Sequence, residues 1–181
     1  MNRYPSPVIA LRTRTRYAVL AFVLLTTLTA YYMYLRLSAN DLYTQHYHPY
    51  HLHLARGASD KSLIKDAYGA GKFDSVISCS KSIKDLEPEE YLLTGIAYLE
   101  KNQAAKAIET FQTLIEKNKK TNTDFFEDDA EYYLAMSYLN NHEMQKAIPI
   151  FEKIQSDPDH KYNSDVSEWF LQNVKTYLAK Q

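Results

Sequence analysis

The chain has 181 residues, 45% of them hydrophobic and 24% charged, with a formal net charge of −1, which leaves room for one modest domain with accessories. The charge is uneven: residues 1–36 carry Arg3, Arg12, Arg14, Arg16 and Arg36 and no acid (+5), while residues 37–181 carry the other 16 of the 21 basic groups and all 22 acids (−6). A net-acidic larger part excludes nucleic-acid binding by it, because phosphates need a basic surface, and the single Cys79 excludes an internal disulfide.

Tyr17 to Leu35 is an uncharged run of 19 residues. As a helix it would be roughly 28 Å long, against a hydrocarbon core of ~30 Å. Tyr17 stands at one end and Tyr31, Tyr32 and Tyr34 at the other, where amphipathic rings suit the two interfaces. The run predicts a transmembrane helix over 17–36. The arginines before it predict a basic cytoplasmic tail over 1–16, with the rest of the chain across the membrane. Three alternatives stand beside this anchor. A cleaved signal peptide needs small residues before its cut, and Leu28-Thr29-Ala30 and Leu37-Ser38-Ala39 both offer Leu there. A lipoprotein needs a cysteine directly after the run, whereas Cys79 lies far downstream. A buried helix of a soluble fold is the third.

Residues 37–60 form a Tyr/His-rich connector. A short helix is expected near 39–47, then extended chain: Pro49 pushes His48 out of the helical region and Gly57 suggests a turn. The histidines His46, His48, His51 and His53 have a spacing that would let two or three imidazoles meet on zinc or nickel. No Cys, Asp or Glu lies between them. The plainer reading is a Tyr/His strip packed beside the first helix of the following domain or at a membrane surface.

From Ser62 onward the pattern is helical. Leu63, Ile64 and Ala67 form one apolar stripe, Gly69-Ala70-Gly71 breaks it, and Phe73, Val76, Ile77 and Ser80 resume it. Cys79 falls in this second stretch and reads as a small buried hydrophobe. Pro88 suits a first helical turn, and Glu89 and Glu90 complement its positive end. That helix turns at 101–103, and its partner runs from Ala104 to about Lys117. A polar loop is expected over 118–123, then a helix capped by Asp128 or Asp129 and ending near 140–142. Glu143–Gln155 follows with Pro149 inside, which suggests a kink or a late start. A last helix, capped by Asn163 or Ser164, runs through Leu178.

Two of these stretches echo each other 40 residues apart. Gly95, Tyr98, Ala107, Phe111 and Leu114 recur as Ala135, Tyr138, Ala147, Phe151 and Ile154. A small residue lets two antiparallel helices touch, Tyr fills the space beside it, Ala sits at the closest crossing, and Phe wedges against the next unit. This spacing resembles the tetratricopeptide repeat, whose unit is about 34 residues. The resemblance covers about 62–178. Residues 62–84 look like a degenerate first unit, with Ala67 in the Tyr place, Val76 in the Ala place and Ser80 in the Phe place. Ser167-Glu168-Trp169-Phe170-Leu171 looks like a half repeat that caps the stack. The layout also resembles small bacterial proteins, especially of Bacteroidetes type, with one membrane span, a Leu-Tyr-x3-Tyr-x-Pro-Tyr segment (here Leu42 to Tyr50) and a few such helix pairs.

The expected fold is therefore all-α: a membrane helix, a connector and a short right-handed stack over 61–181. The resemblance implies a non-enzymatic scaffold with no cofactor, and the sequence holds no Gly-rich phosphate loop, GxSxG or HExxH. It implies that the first helix of each pair lines an inner groove. The residues pointing into it would be Leu92, Ile96 and Leu99, then Tyr132, Met136 and Leu139, then Trp169, Asn173 and Thr176. Either a hydrophobic peptide or helix from a protein partner lies there, or the stack closes on itself, or the chain's own residues 40–56 fill it. The expected setting is a bacterial inner membrane with a cytoplasmic N-terminus and a periplasmic stack. Self-association into a homo-oligomer or a larger envelope complex, and metal sensing through the histidine strip, are the rival functions.

Overall fold

The computed structural model describes residues 7–36, 39–52 and 62–179, with side chains over 16–31, 41–52 and 62–179. Every regular element among the described residues is an α-helix. The chain divides into two compact units, residues 1–37 and 38–181.

The first unit holds α1 (Pro7–Arg36), which contains the whole apolar run. Val19, Leu20, Phe22, Val23, Leu24, Leu25 and Leu28 are all more than half exposed along it. Its threonines satisfy their hydroxyls inside the helix: Thr26 donates to the Val23 carbonyl and Thr27 to the Leu24 carbonyl, both at 2.9 Å. Among the described residues no helix is long and apolar enough to cross a membrane. The transmembrane helix expected over 17–36 is thus not met among the described residues.

The second unit holds α2 (Ala39–His46), α3 (Leu63–Gly69), α4 (Phe73–Ser82), α5 (Pro88–Glu100), α6 (Ala104–Thr121), α7 (Glu127–Asn140), α8 (Met144–Ser156) and α9 (Glu168–Leu178). Helices α3/α4, α5/α6 and α7/α8 are hairpins that stack in chain order, and α9 closes the stack against α8. The first helices pack side by side, α3 on α5 and α5 on α7.

The three hairpins turn in one way. Gly71, Asn102 and His142 take positive φ of 68°, 58° and 59°. After each, an N–H donates back to the carbonyl five residues earlier: Lys72 to Ala67, Gln103 to Tyr98, Glu143 to Tyr138. This is the left-handed helix stop that satisfies the last free carbonyls. It sets Ala67, Tyr98 and Tyr138 in one register, and with them Val76, Ala107 and Ala147, all fully buried. The degenerate first unit is a real third hairpin, in the register expected for it.

Packing follows the small-residue logic. A Cβ on Gly95 would lie 2.5 Å from the Phe111 ring, so that ring packs directly on the backbone of α5. Phe111 then stacks on Tyr133 of the next hairpin, centroids 6.1 Å apart, while Phe151 meets Phe170 of α9 edge-on at 5.0 Å.

Several local expectations are corrected. Leu63 points outward (71% exposed), and Tyr68 packs inside next to Ala67. Cys79 is half-buried rather than buried. Helix α6 runs on through Asn118 to Thr121, because Asn118 is buried and donates to the Phe125 carbonyl at 2.8 Å. The polar loop shrinks accordingly. Neither Asp128 nor Asp129 caps α7; the capping position is Phe126, with φ 55°. Asp129 is buried and accepts from the Tyr162 hydroxyl and the Lys161 ammonium, both at 2.6 Å, which fastens the α8–α9 loop onto α7. Asn163 donates to the carbonyls of Ile154 and Gln155, so it caps the end of α8, and Ser167 caps α9 by accepting from Phe170. Pro149 sits within α8 without ending it.

Candidate functional site

The inner face is defined by what the first helices of the hairpins meet. Helix α2 lies against α7 and α9, and the chain beyond it, residues 47–52, runs without regular secondary structure along the same face. The Tyr132 hydroxyl donates to the His46 carbonyl at 2.6 Å, Tyr133 to the His48 carbonyl at 2.9 Å and Tyr68 to the Tyr50 carbonyl at 2.9 Å. Three hydroxyls from α3 and α7 thus catch carbonyls of alternate residues, that of His46 at the end of α2 and those of His48 and Tyr50 in the irregular chain after it. The Tyr47 hydroxyl donates to Glu100 at the end of α5, at 2.7 Å. The first helices of all three hairpins, and α9, thus touch residues 42–50 or α2.

Side chains complete the seating. Leu42 is fully buried and Tyr43 nearly so. Tyr43 stacks on Tyr47 at 5.0 Å, and Tyr47 and Tyr50 both meet Tyr133 edge-on. The His46 ring sits 4.1 Å from Phe170 and 6.2 Å from Trp169. Tyr162 stacks on Tyr132 at 4.1 Å, with the rings nearly parallel.

Burial raises the pKa values of these phenols by disfavouring the phenolate. Tyr50 is pushed up to about 12, by burial first and then by Asp129 and Glu89. Tyr43 and Tyr68 are raised by burial and then by Glu100. Tyr132 and Tyr133 are raised, again chiefly by burial. All stay neutral across the physiological range, Tyr68, Tyr132 and Tyr133 as hydrogen-bond donors.

The expected groove residues are therefore mostly covered. Leu92, Ile96, Leu99, Tyr132, Met136 and Leu139 are buried, whereas Trp169 is 61% exposed. Asn173 and Thr176 are half-buried. Part of the chain's own segment 40–56, one of the three occupants weighed from sequence, contacts α3, α7 and α9. The hydroxyls of Tyr68 and Tyr133, absent from the expected groove set, carry two of the three carbonyl contacts. Their signal was available: Tyr133 falls 40 residues after Leu93, a polar-tipped ring where the first repeat has an aliphatic side chain.

The histidine strip does not gather. His46 packs on rings, His48 Nε2 lies 3.6 Å from Asp165, and His51 is exposed. His53 lies outside the described residues, as does Gly57. Among the described residues no group of three or more His, Cys, Asp or Glu side chains is placed to hold a metal ion.

The two hairpins α5/α6 and α7/α8 match the tetratricopeptide-repeat family model over residues 91–121 and 129–160. Two repeats of this type are thus detected. No curated protein and no solved structure matches the chain.

Proposed function

We propose that the chain is a non-enzymatic, membrane-anchored scaffold that binds a protein partner on the inner face of its helical stack, with residues 42–50 built in as part of that face. The observation that carries this reading is the set of tyrosine hydroxyls, from α3 and from α7 of the second detected repeat, that hold residues 46–50 against the stack. Repeats of this kind present extended surfaces for other proteins. The partner then reads the outer side of residues 42–50 together with Trp169, a large exposed ring beside His46 of the kind that anchors interfaces.

The anchor is α1. Its support is the uncharged 19-residue run, the exposed apolar side chains, and threonine hydroxyls that satisfy themselves within the helix. The five arginines that flank the uncharged run, four before it and one after, favour a cytoplasmic N-terminus and a stack on the far side of a bacterial inner membrane. The likeness to small anchored bacterial proteins points the same way.

The test is crosslinking in membranes. Trp169→Ala is expected to abolish the main crosslinked species while leaving the thermal unfolding of the stack unchanged. Retained crosslinking would remove the inner face from the reading. A reporter fused after Gln181 decides the side of the membrane, and recovery of the full chain in the soluble fraction would remove the anchor.

A further inference from the structure

His46 stands at the joint of the segment on the inner face. It is the last residue of α2 and leads into the irregular residues 47–52. One turn earlier, Leu42 and Tyr43 are buried in the stack. The His46 carbonyl accepts from the Tyr132 hydroxyl of α7 at 2.6 Å, and its ring packs on Phe170 of α9, centroids 4.1 Å apart. Phe170 is itself buried and meets Phe151 of α8 edge-on. One residue thus ties the segment to α7 through its backbone and to α9 through its side chain.

An imidazole suits this place while it is neutral. A charged ring packed on Phe170 gives up water on the side that the phenyl covers. The charged and titratable groups around it divide. Within its own segment, His48 repels a charge on His46. From the α8–α9 loop Asp165 attracts it, and so does the negative end of α2. Asp165 is shared, since His48 Nε2 lies 3.6 Å from its carboxylate, and the α2 end is answered in part by the Tyr132 hydroxyl. From α7 comes Tyr132, whose phenol stays neutral. From α9 come Phe170 and Trp169, which carry no charge, while Glu168 is bonded to Gln155 and Gln172. Burial first, and then His48, hold the His46 imidazole below its usual 6.5, against Asp165.

The consequence has a definite sign. Folding favours the neutral ring, so what its packing contributes is fully present above 6.5 and is lost as pH falls through the lower value of the folded chain. Once charged, the ring is better solvated away from Phe170. Its departure moves the residue whose carbonyl Tyr132 holds, and the carbonyls of His48 and Tyr50 belong to the same short stretch.

We propose that His46 is an acid-operated latch: protonation lifts its ring from Phe170, residues 46–50 loosen from Tyr132 and Tyr133, and the aromatic side of α7 and α9 opens to a partner. The inner face then has two states, one in neutral and one in mildly acidic surroundings. Its use as a gate rests on the inner face being the partner surface. The release itself is measured on the chain alone, so either idea can fail without the other.

The experiment is a pH series on the full chain in detergent micelles, followed by nuclear magnetic resonance. The imidazole resonances give the His46 midpoint, which is expected below 6.5. Two readouts report release: the Overhauser contact between the His46 and Phe170 rings, and the exchange protection of the Tyr47 amide, which donates to the Tyr43 carbonyl at 2.8 Å. Between about pH 7.5 and about pH 5 the ring contact should vanish and the protection, corrected for intrinsic exchange, should fall several-fold with the His46 midpoint, while α5 keeps its protection. His46→Phe keeps a ring for Phe170 and takes up no proton, so its Tyr47 protection should stay constant over this range. Two milder variants carry the same test should that one fold poorly: His48→Gln should move the release to higher pH, and Asp165→Asn to lower pH. A midpoint at or above 6.5, a ring contact that survives protonation, an equal loss of protection in His46→Phe, or a release unmoved by both milder variants would overturn the proposal.

Discussion

The two matched hairpins share their seam and differ on their inner face. Both turn on a left-handed residue, Asn102 or His142, and both lay a lysine over the seam tyrosine, Lys106 on Tyr98 and Lys146 on Tyr138. Forty residues after Leu92 and Leu93 of α5, however, α7 carries Tyr132 and Tyr133. The α5 side chains offer residues 46–50 no donor, while the α7 pair supplies two of their three hydroxyl contacts. A repeat keeps what its neighbour's packing requires and varies where nothing in the stack constrains it. The variable positions are therefore where this chain departs from a plain array.

Alkali is expected to break the comparison most completely, because it attacks the α7 face and has nothing to ionise at Leu92 and Leu93. The sign follows from the raised phenols. Folding favours their neutral form, so the stability they contribute is fully present below the usual tyrosine pKa of 10 and is lost as pH rises, for Tyr50 through about 12. Tyr68, Tyr132 and Tyr133 are raised in the same direction. Tyrosinate absorbance should lag behind that of free tyrosine and then rise together with loss of helical circular dichroism. Independent, unlagged titration would show that these phenols are not buried donors.

Truncating the seam rings comes next. Phe111→Ala and Phe151→Ala should each cost about 3–5 kcal/mol, read by urea unfolding. Phe111→Ala should be the worse of the two. Its ring packs directly on Gly95, so the void has no facing methyl to shrink it, whereas Ala135 carries one in the second repeat. Exchanging the small residues tests the same asymmetry. Gly95→Ala sets a methyl 2.5 Å from a fully buried ring and should cost about 1–3 kcal/mol through overpacking. Gly95→Ala combined with Phe111→Leu should recover part of that loss.

A smaller effect is expected on the inner face. Tyr133→Phe removes the donor to the His48 carbonyl and should cost about 1 kcal/mol, with Tyr132→Phe similar. Hydrogen exchange should then quicken at residues 46–50 more than in α5. The smallest effect belongs to the shared turns. Asn102→Gly and His142→Gly relieve a left-handed strain that glycine does not feel, and each should stabilise by less than about 1 kcal/mol, equally in both repeats.

Much of this architecture was legible in the sequence because it rests on local rules. The spacing of Gly95, Tyr98, Ala107 and Phe111 follows from the helical period and the closeness of paired helices, and its echo marks the stack. Even the faint unit at 62–84 could be placed, since Ala67, Val76 and Ser80 keep the same distances from Gly71 as their counterparts keep from Asn102 and His142. The caps were less legible. Aspartate near a helix start usually caps it, yet Asp129 turns inward to hold Tyr162 and Lys161, partners 33 and 32 residues away.

The sequence by itself determined an all-α chain, three hairpins and their register, because side-chain size at fixed helical intervals decides which helices touch. Only the tertiary structure decided that residues 42–50 fill the inner face. That choice depends on Tyr68, Tyr132 and Tyr133 meeting the carbonyls of Tyr50, His46 and His48, across separations of 18, 86 and 85 residues. No periodicity in that segment announces such pairings. They arise because the stacked helices bring hydroxyls of α3 and α7 to the carbonyls of three alternate residues in this segment.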